Sequence, residues 1–504
     1  MIRPTFLGFE TAKKGLTTAQ KGIDIAGQNM VNWDSEGYTR QRIEQVALSQ
    51  DRYSSRFVDN KVGIAGQGVD IVGISQQRDS FLDKRYREEY GDVGYFEKSA
   101  DILTDIQKSL DILNAEGDEG LRGRLMALRD ALDTFAGSPD SPTHANIVST
   151  AVKGMAQTLQ LLDEKLNKVA AQHTYDMEVA VNEYNEKLAK VAQINKVIME
   201  DSGVIGNDAR YGPNELYDER NVLIDELSKM TNLGVTHNVD GTVTLDVDGK
   251  TVVQGKKYET LDFTANDETG IVSLRWLSTG KPASEITTGS LKASNDYING
   301  RGNNMLLKGE TANQGVRYYK DQLDAIAQQF AEVLNNSIPN SFTDLSEGYK
   351  KLVGTTDGSD TVTAANISVS EEWAGNASYI MTDPGILDTT YILSLKDKLN
   401  EAKMDFTAPG GAKSAEEITF LDYFKQIGTT LGTDISYQEG RHTASSAMAT
   451  SLEDRRDSVA GVNVDEETSN LMLYNKSLSA ASRLMTTLDE ALDVLINRTG
   501  KVGL

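Results

Sequence analysis

Apolar residues recur every seven positions near the start of the chain, at Phe9, Leu16, Ile23 and Met30, with Ala12, Ala19 and Ala26 interleaved. Alternating steps of three and four predict a helix with one narrow apolar stripe, the kind that packs along another helix. Ile2 extends the stripe. The far end carries a matching pattern. Val464, Leu471, Leu478, Met485 and Leu492 form one seven-residue series, and Tyr474, Ala481, Leu488 and Leu495 form the other. Asn463 is placed to cap this second helix, with Glu466 at the third helical position as in a capping box. Asp465, Glu466 and Glu467 suit the positive end of the helix dipole, and Asn497, Arg498 and Gly500 read as the stop. The interleaved layers of the first helix are all alanine, whereas the second offers larger residues. Small facing large is the complementarity of a packed pair.

Between the ends, helix dominates the first half. Residues 78–115 and 120–136 read as helices. A long one starts at Ser141 with Pro142 in its first position. Val148, Val152, Met155, Leu159, Leu162, Leu166 and Val169 mark one face of it. The stripe then shifts to Met177, Val181, Tyr184, Leu188 and Val191. From Leu233 to about Thr288 the pattern turns to alternation with Asp-Gly turns, predicting hairpin strands around Val243–Val247 and another at Ile271–Leu277. Helix returns with Val316, Tyr319, Leu323, Ile326, Phe330 and Val333. Residues 340–390 read as irregular, with short strands near Asn366–Ser370, and a last helical stretch runs from Ala415 to Val459, broken near Gly428–Asp434. The expected fold is α+β: a mostly helical rod whose N- and C-terminal heptad helices pair as a coiled coil, with a β-rich inserted domain. Its expected units are a terminal domain of residues 1–32 and 464–504, a rod of 33–232 and 289–463, and an insertion of 233–288.

Composition narrows the function. The formal net charge is −24, from 51 Lys+Arg against 75 Asp+Glu. That field repels phosphate and anionic lipid, so neither a nucleic acid nor a membrane is an expected partner. The chain has no cysteine, which removes disulfides, thiol nucleophiles and cysteine-ligated metals. No apolar run is long enough to span a bilayer, and the N-terminal residues lack the apolar core of a cleavable secretory signal. His144, His173, His237 and His442 offer no helical metal pair. Gly249-Lys250-Thr251 lacks the first glycine of a phosphate loop. Gly66 and Gly68 meet Ile71 where a dinucleotide fingerprint needs a third glycine. Asp246 and Asp248 lack the flanking ligands of a calcium loop. No cofactor, metal or catalytic group is expected.

Residues 28–42 contain Asn29, Asn32, Gly37 and Tyr38 in a spacing that resembles the N-terminal signature of bacterial flagellar axial proteins, with Glu36 where those carry proline. Gly68–Ile74 leading to Arg78–Leu82 resembles a further block of the axial proteins, and Leu216–Leu227 and Val459–Leu471 are similar to segments of the hook–filament junction family, FlgK. The resemblance spans the chain. It implies an extracellular structural subunit of the flagellum, exported through the flagellar type III apparatus with an uncleaved N-terminus. It implies a ring-forming homo-oligomer that meets hook protein and a second junction protein and is served by an export chaperone. It also implies that the terminal helices carry polymerisation. The interface would then comprise Phe9, Ala12, Leu16, Ala19, Ile23, Ala26 and Met30 with Leu471, Tyr474, Leu478, Ala481, Met485, Leu488, Leu492 and Leu495. Asn29, Asn32, Gly37 and Tyr38 would form a hinge or turn. The alternatives are another axial protein (hook or distal rod), or a secreted adhesin or enzyme on a helical stalk.

Overall fold

The computed structural model describes residues 5–48, 68–113, 120–200, 211–266, 269–302, 307–341, 345–381, 389–400, 403–406 and 417–498. Ile2, Gly500 and the expected helix start at Ala415 lie outside them.

The chain opens with helix α1 (Thr5–Val31) and a two-stranded antiparallel ribbon, β1 (Gln41–Ala47) and β2 (Val69–Gln76). Then come α2 (Ser80–Leu110), α3 (Leu121–Ala136), α4 (Pro142–Glu200) and α5 (Asn214–Met230). A four-stranded antiparallel sheet follows in the order β3 (Leu233–His237), β4 (Val243–Val247), β5 (Lys250–Gln254), β6 (Lys257–Tyr258), with a separate hairpin of β7 (Leu261–Ala265) and β8 (Val272–Trp276). Next are α6 (Ser290–Ile298), α7 (Val316–Asn335), the short pair β9 (Val353–Thr355) and β10 (Ile367–Val369), α8 (Glu371–Gly375) and α9 (Thr390–Asn400). The long helices α10 (Phe420–Ala460) and α11 (Val464–Asp493) close the chain.

The change of stripe along α4 has a direct structural cause. Its first face, Val148 to Leu166, is buried in a core built with α3, α7, α9 and the first half of α10. The shifted face, Met177 to Val191, is buried in a second core with α5, the β3–β6 sheet, the β7–β8 hairpin and α6. One helix of 59 residues therefore serves two cores in series. His173 sits at the changeover and is buried. Its Nε2 lies 3.3 Å from Asp105 Oδ2 of α2, and burial pulls its pKa down.

The strands are not a detached decoration. Val243, Leu245, Val247, Val253 and Trp276 share one hydrophobic cluster with Tyr184, Leu188, Ile224 and Leu227 of the helices. Two expectations are corrected. The stretch expected to break near Gly428–Asp434 is continuous in α10, because Phe424, Ile427, Leu431 and Ile435 hold one buried face straight through it. Packing of that face outweighs the roughly 1 kcal/mol that a glycine costs inside a helix. The β1–β2 ribbon, given no strand in the sequence reading, packs beside α1 and carries a bulge at Glu44/Gln45.

A titratable contact ties α7 to the segment before β10. Asp324 Oδ1 accepts the Ala364 backbone N–H at 2.8 Å. Burial, opposed by that bond and assisted by Asp163, pushes the Asp324 carboxyl from its ordinary 3.8 to about 6. The native state thus takes up a proton near pH 6 that the unfolded chain takes up only nearer 4, so acidification through this window favours the folded state at this site. Asp324→Asn keeps the acceptor and removes the buried charge. It should raise the melting temperature at about pH 7.5 and lose most of that advantage at about pH 5. An equal shift at both values would refute this account.

Candidate assembly site

The two chain ends meet. Helices α1 and α11 run antiparallel along each other. Gly8 faces Leu488, Gly15 faces Ala481 and Gly22 faces Tyr474. The contact seam on α1 is Gly8, Ala12, Gly15, Ala19, Gly22 and Ala26. The three alanines are at most 2 % exposed. Seam and stripe differ here. Phe9, Leu16, Ile23 and Met30 lie along its edge and stay half-buried. Small side chains let two helix axes approach closely, whereas a leucine in the same place would hold them apart. The tightest layer is Gly22, where a Cβ would lie 2.5 Å from the Tyr474 ring. The sequence signal that would have found this seam is glycine recurring every seven residues, since each glycine costs a free helix about 1 kcal/mol.

On α11, Leu471, Tyr474, Leu478, Ala481, Met485, Leu488 and Leu492 form one half-buried line, and Leu495 is exposed in a π-helical final turn, Val494–Arg498. Asn463 Oδ1 accepts the backbone N–H groups of Asp465 and Glu466, so the cap forms. Glu466 does not close a capping box. Its carboxylate accepts from Arg40 Nη1 at 2.8 Å, while buried Glu467 accepts from Arg40 Nε, also at 2.8 Å. A cation from the other end of the chain competes better for Glu466 than the helix's own amide does.

The turn after α1 is built by its polar residues. Asn29 is fully buried. Its Nδ2 donates to the Gln41 carbonyl at 2.9 Å, and its Oδ1 accepts the Gln41 N–H at 3.0 Å and the Tyr38 hydroxyl at 2.8 Å. The side chain thus stands in for a neighbouring strand at the start of β1. Asn32 closes the helix end by donating to the Gln28 carbonyl. Gly37 has φ +75°, and a Cβ there would meet the Val222 side chain at 2.2 Å. Burial followed by the nearby Asp218 raises the Tyr38 phenol well above its ordinary value, so it remains a donor.

The four segments singled out by resemblance therefore converge. The turn of residues 32–40 rests on α5, β2 ends beside Asn214 and Asp218 of α5, and the Arg40 N–H donates to the Ala460 carbonyl at the end of α10. Below this node Asp225 of α5 lies 2.6 Å from both Arg87 of α2 and Arg456 of α10. Burial alone would raise its pKa, and the two guanidiniums more than reverse that. Among the described residues, no group of three or more histidine and carboxylate side chains is placed to hold a metal ion.

Residues 107–344 match the model of the flagellar hook-associated protein FlgK helical domain, and residues 457–498 match that of the flagellar basal body rod FlgEFG protein C-terminal region. The chain is 28% identical over 533 residues to flagellar hook-associated protein 1 of Bacillus subtilis, covering 99% of both. The chain is thus similar to the FlgK family through its helical domain and, by these relatives, along nearly its whole length. It is also 23% identical to flagellar hook-associated protein 1 of Salmonella typhimurium, over 96% of this chain and 98% of that one. The solved structure of the flagellar hook junction protein FlgK from Burkholderia pseudomallei shares the fold, with a TM-score of 0.57 and 11% identity over 75% of this chain and all of that one. Family members are structural proteins of the flagellum.

Two variants separate the seam from ordinary helix propensity. Gly15→Ala, whose Cβ would sit 3.7 Å from Ala481, should stabilise the terminal pair by about 0.5–1 kcal/mol. Gly22→Ala should weaken it by roughly 1–3 kcal/mol through overpacking against Tyr474. Amide exchange across α1 and α11 reads both, and the same sign in both variants would contradict the seam. Asn29→Ala leaves the Gln41 amide and the Tyr38 hydroxyl without their partner. It should speed exchange in β1 by an amount equivalent to about 1–3 kcal/mol.

Proposed function

We propose that this chain is a structural subunit of the hook–filament junction of the bacterial flagellum, and that it polymerises through the α1–α11 pair. The observation that carries this reading is how little that pair buries. Of the thirty residues of α11 only Glu467 is buried, while Met472, Leu473 and Leu484 are 46–59 % exposed and Val31 of α1 is 82 % exposed. Two helices with apolar residues on their outer surface are marginal alone, because ordering each residue costs roughly 1–2 kcal/mol of backbone entropy. Neighbouring copies supply the missing burial, so the ends gain stability as the ring forms.

The other parts of the reading follow from the family. The subunit is exported through the flagellar apparatus and works outside the cell, with copies of itself, hook protein and a second junction protein as neighbours and an export chaperone before that. Its work is mechanical, and it has no catalytic role. The match over residues 107–344 favours the junction protein over a hook or rod protein, since the C-terminal match alone is to a segment named for the rod proteins.

The test compares assembly with folding. Leu478→Glu with Met485→Glu should abolish self-assembly and motility while the thermal unfolding of the two rod cores is unchanged. In the unaltered chain, exchange over α1 and α11 should be faster than in the rod and should slow on assembly. Normal motility in the double variant would refute the role given to the terminal pair.

A further inference from the structure

The unit made of α1, α11, β1 and β2 is joined to the rod by two covalent crossings, Gln77–Asp79 and Gly461–Asn463. Among the described residues, none of the four hydrophobic clusters contains a residue of that unit. Its orientation therefore rests on the contacts at the node. These are polar or made by glycine backbone. Gly37 lies against Val222, and Gly73 lies so close that a Cβ would sit 2.3 Å from the Tyr211 ring. Such flat contacts keep two surfaces close without fixing an angle.

One side chain of the rod bonds the unit at two points. Asp218 of α5 is 9 % exposed. Its Oδ2 accepts the Thr39 backbone N–H at 3.2 Å, and its Oδ1 accepts Gln76 Nε2 at 2.8 Å. Thr39 belongs to the turn after α1, and Gln76 ends the ribbon. A single carboxylate thus grips the terminal unit at two separate points, the turn after α1 and the end of β2. The grip is braced on both sides. Gln76 Nε2 also donates to the Asn214 carbonyl at 3.0 Å. Arg78 donates to Thr39 Oγ1 at 3.2 Å and pairs with Asp83.

We propose that Asp218 is the residue that sets the orientation of the terminal helix pair on the rod: a two-point polar latch that can be released without unfolding either unit. Both bonds are charge-assisted and sheltered, so they are directional where the glycine contacts are not. The latch matters for a junction subunit because one fold must present its ends at a defined angle to its neighbours. In that consequence the inference rests on the function proposed above. The latch itself is a property of the isolated chain.

The experiment exploits the absence of cysteine. Val46→Cys on the exposed face of β1 and Gln193→Cys on the exposed face of α4 carry spin labels on the full-length chain, and pulsed electron resonance reads the distance between them. The chain with native Asp218 should give one narrow distribution. Asp218→Ala should broaden it roughly twofold or more, as released orientations become populated. Gln76→Glu, which sets a second carboxylate against the first, should broaden it too. Asp218→Asn should fall between, since its amide retains an acceptor for only one of the two donors. Circular dichroism melting of each variant monitors folding of the rod. A narrow distribution in both Asp218→Ala and Gln76→Glu, or a broad one with native Asp218, would overturn the latch. Neither result bears on the motility test of the junction role.

Discussion

The close approach of α1 and α11 is the constraint on which the terminal unit, and with it the assembly role, depends. The first and last helices of the chain can meet along their length only because one presents glycine and alanine at every layer of contact. Within the rod, α2 and α10, far apart in sequence, run together through the middle of the molecule. Arg87, Asp225 and Arg456 tie them to α5. A buried carboxylate between two guanidiniums is costly to desolvate and strongly destabilising to break, so this triad fixes which helices are neighbours more than it adds net stability.

The rod obtains its length from α4. A helix of ordinary length has one core to serve. Here the apolar stripe rotates part-way along, so the same element is finished by two different sets of partners in succession. The β strands are the second of those partners. Their inward residues complete a cluster that α4 and α5 leave open, so they brace the helix that carries Asp218. The chain thus has a mechanical hierarchy. Two well-packed cores make a stiff body, and a smaller terminal unit with little core of its own is held to it by polar contacts. Those contacts can be reset at lower cost than a hydrophobic core.

Much of this was legible beforehand. The terminal stripes, the capping asparagine, the long helix and its change of face, the hairpin region and the heptads of α7 all follow from local periodicity and turn chemistry. The family signature pointed to Asn29, Asn32, Gly37 and Tyr38 as a hinge or turn. Other features were hidden for identifiable reasons. The large residues Phe9, Leu16, Ile23 and Met30 drew attention as the obvious stripe, although the seam runs through the small residues beside them. A two-stranded ribbon has weak local signal, and its register here is set partly by the Asn29 side chain. The glycines in α10 read as a break because local propensity omits the burial of Phe424 and Leu431.

The sequence by itself determined the elements, their caps, the amphipathic faces and the absence of cysteine, metal-binding motifs and spanning segments. These are properties of residues within a few turns of one another, where periodicity and propensity act. Only the tertiary structure decided which face of α1 meets α11, that Glu466 would abandon its own helix for Arg40, and that Asp218 would hold Thr39 and Gln76 together. Each of these is a choice between competing partners. The outcome depends on distances across the fold and on the desolvation of buried charge, neither of which is written in local pattern.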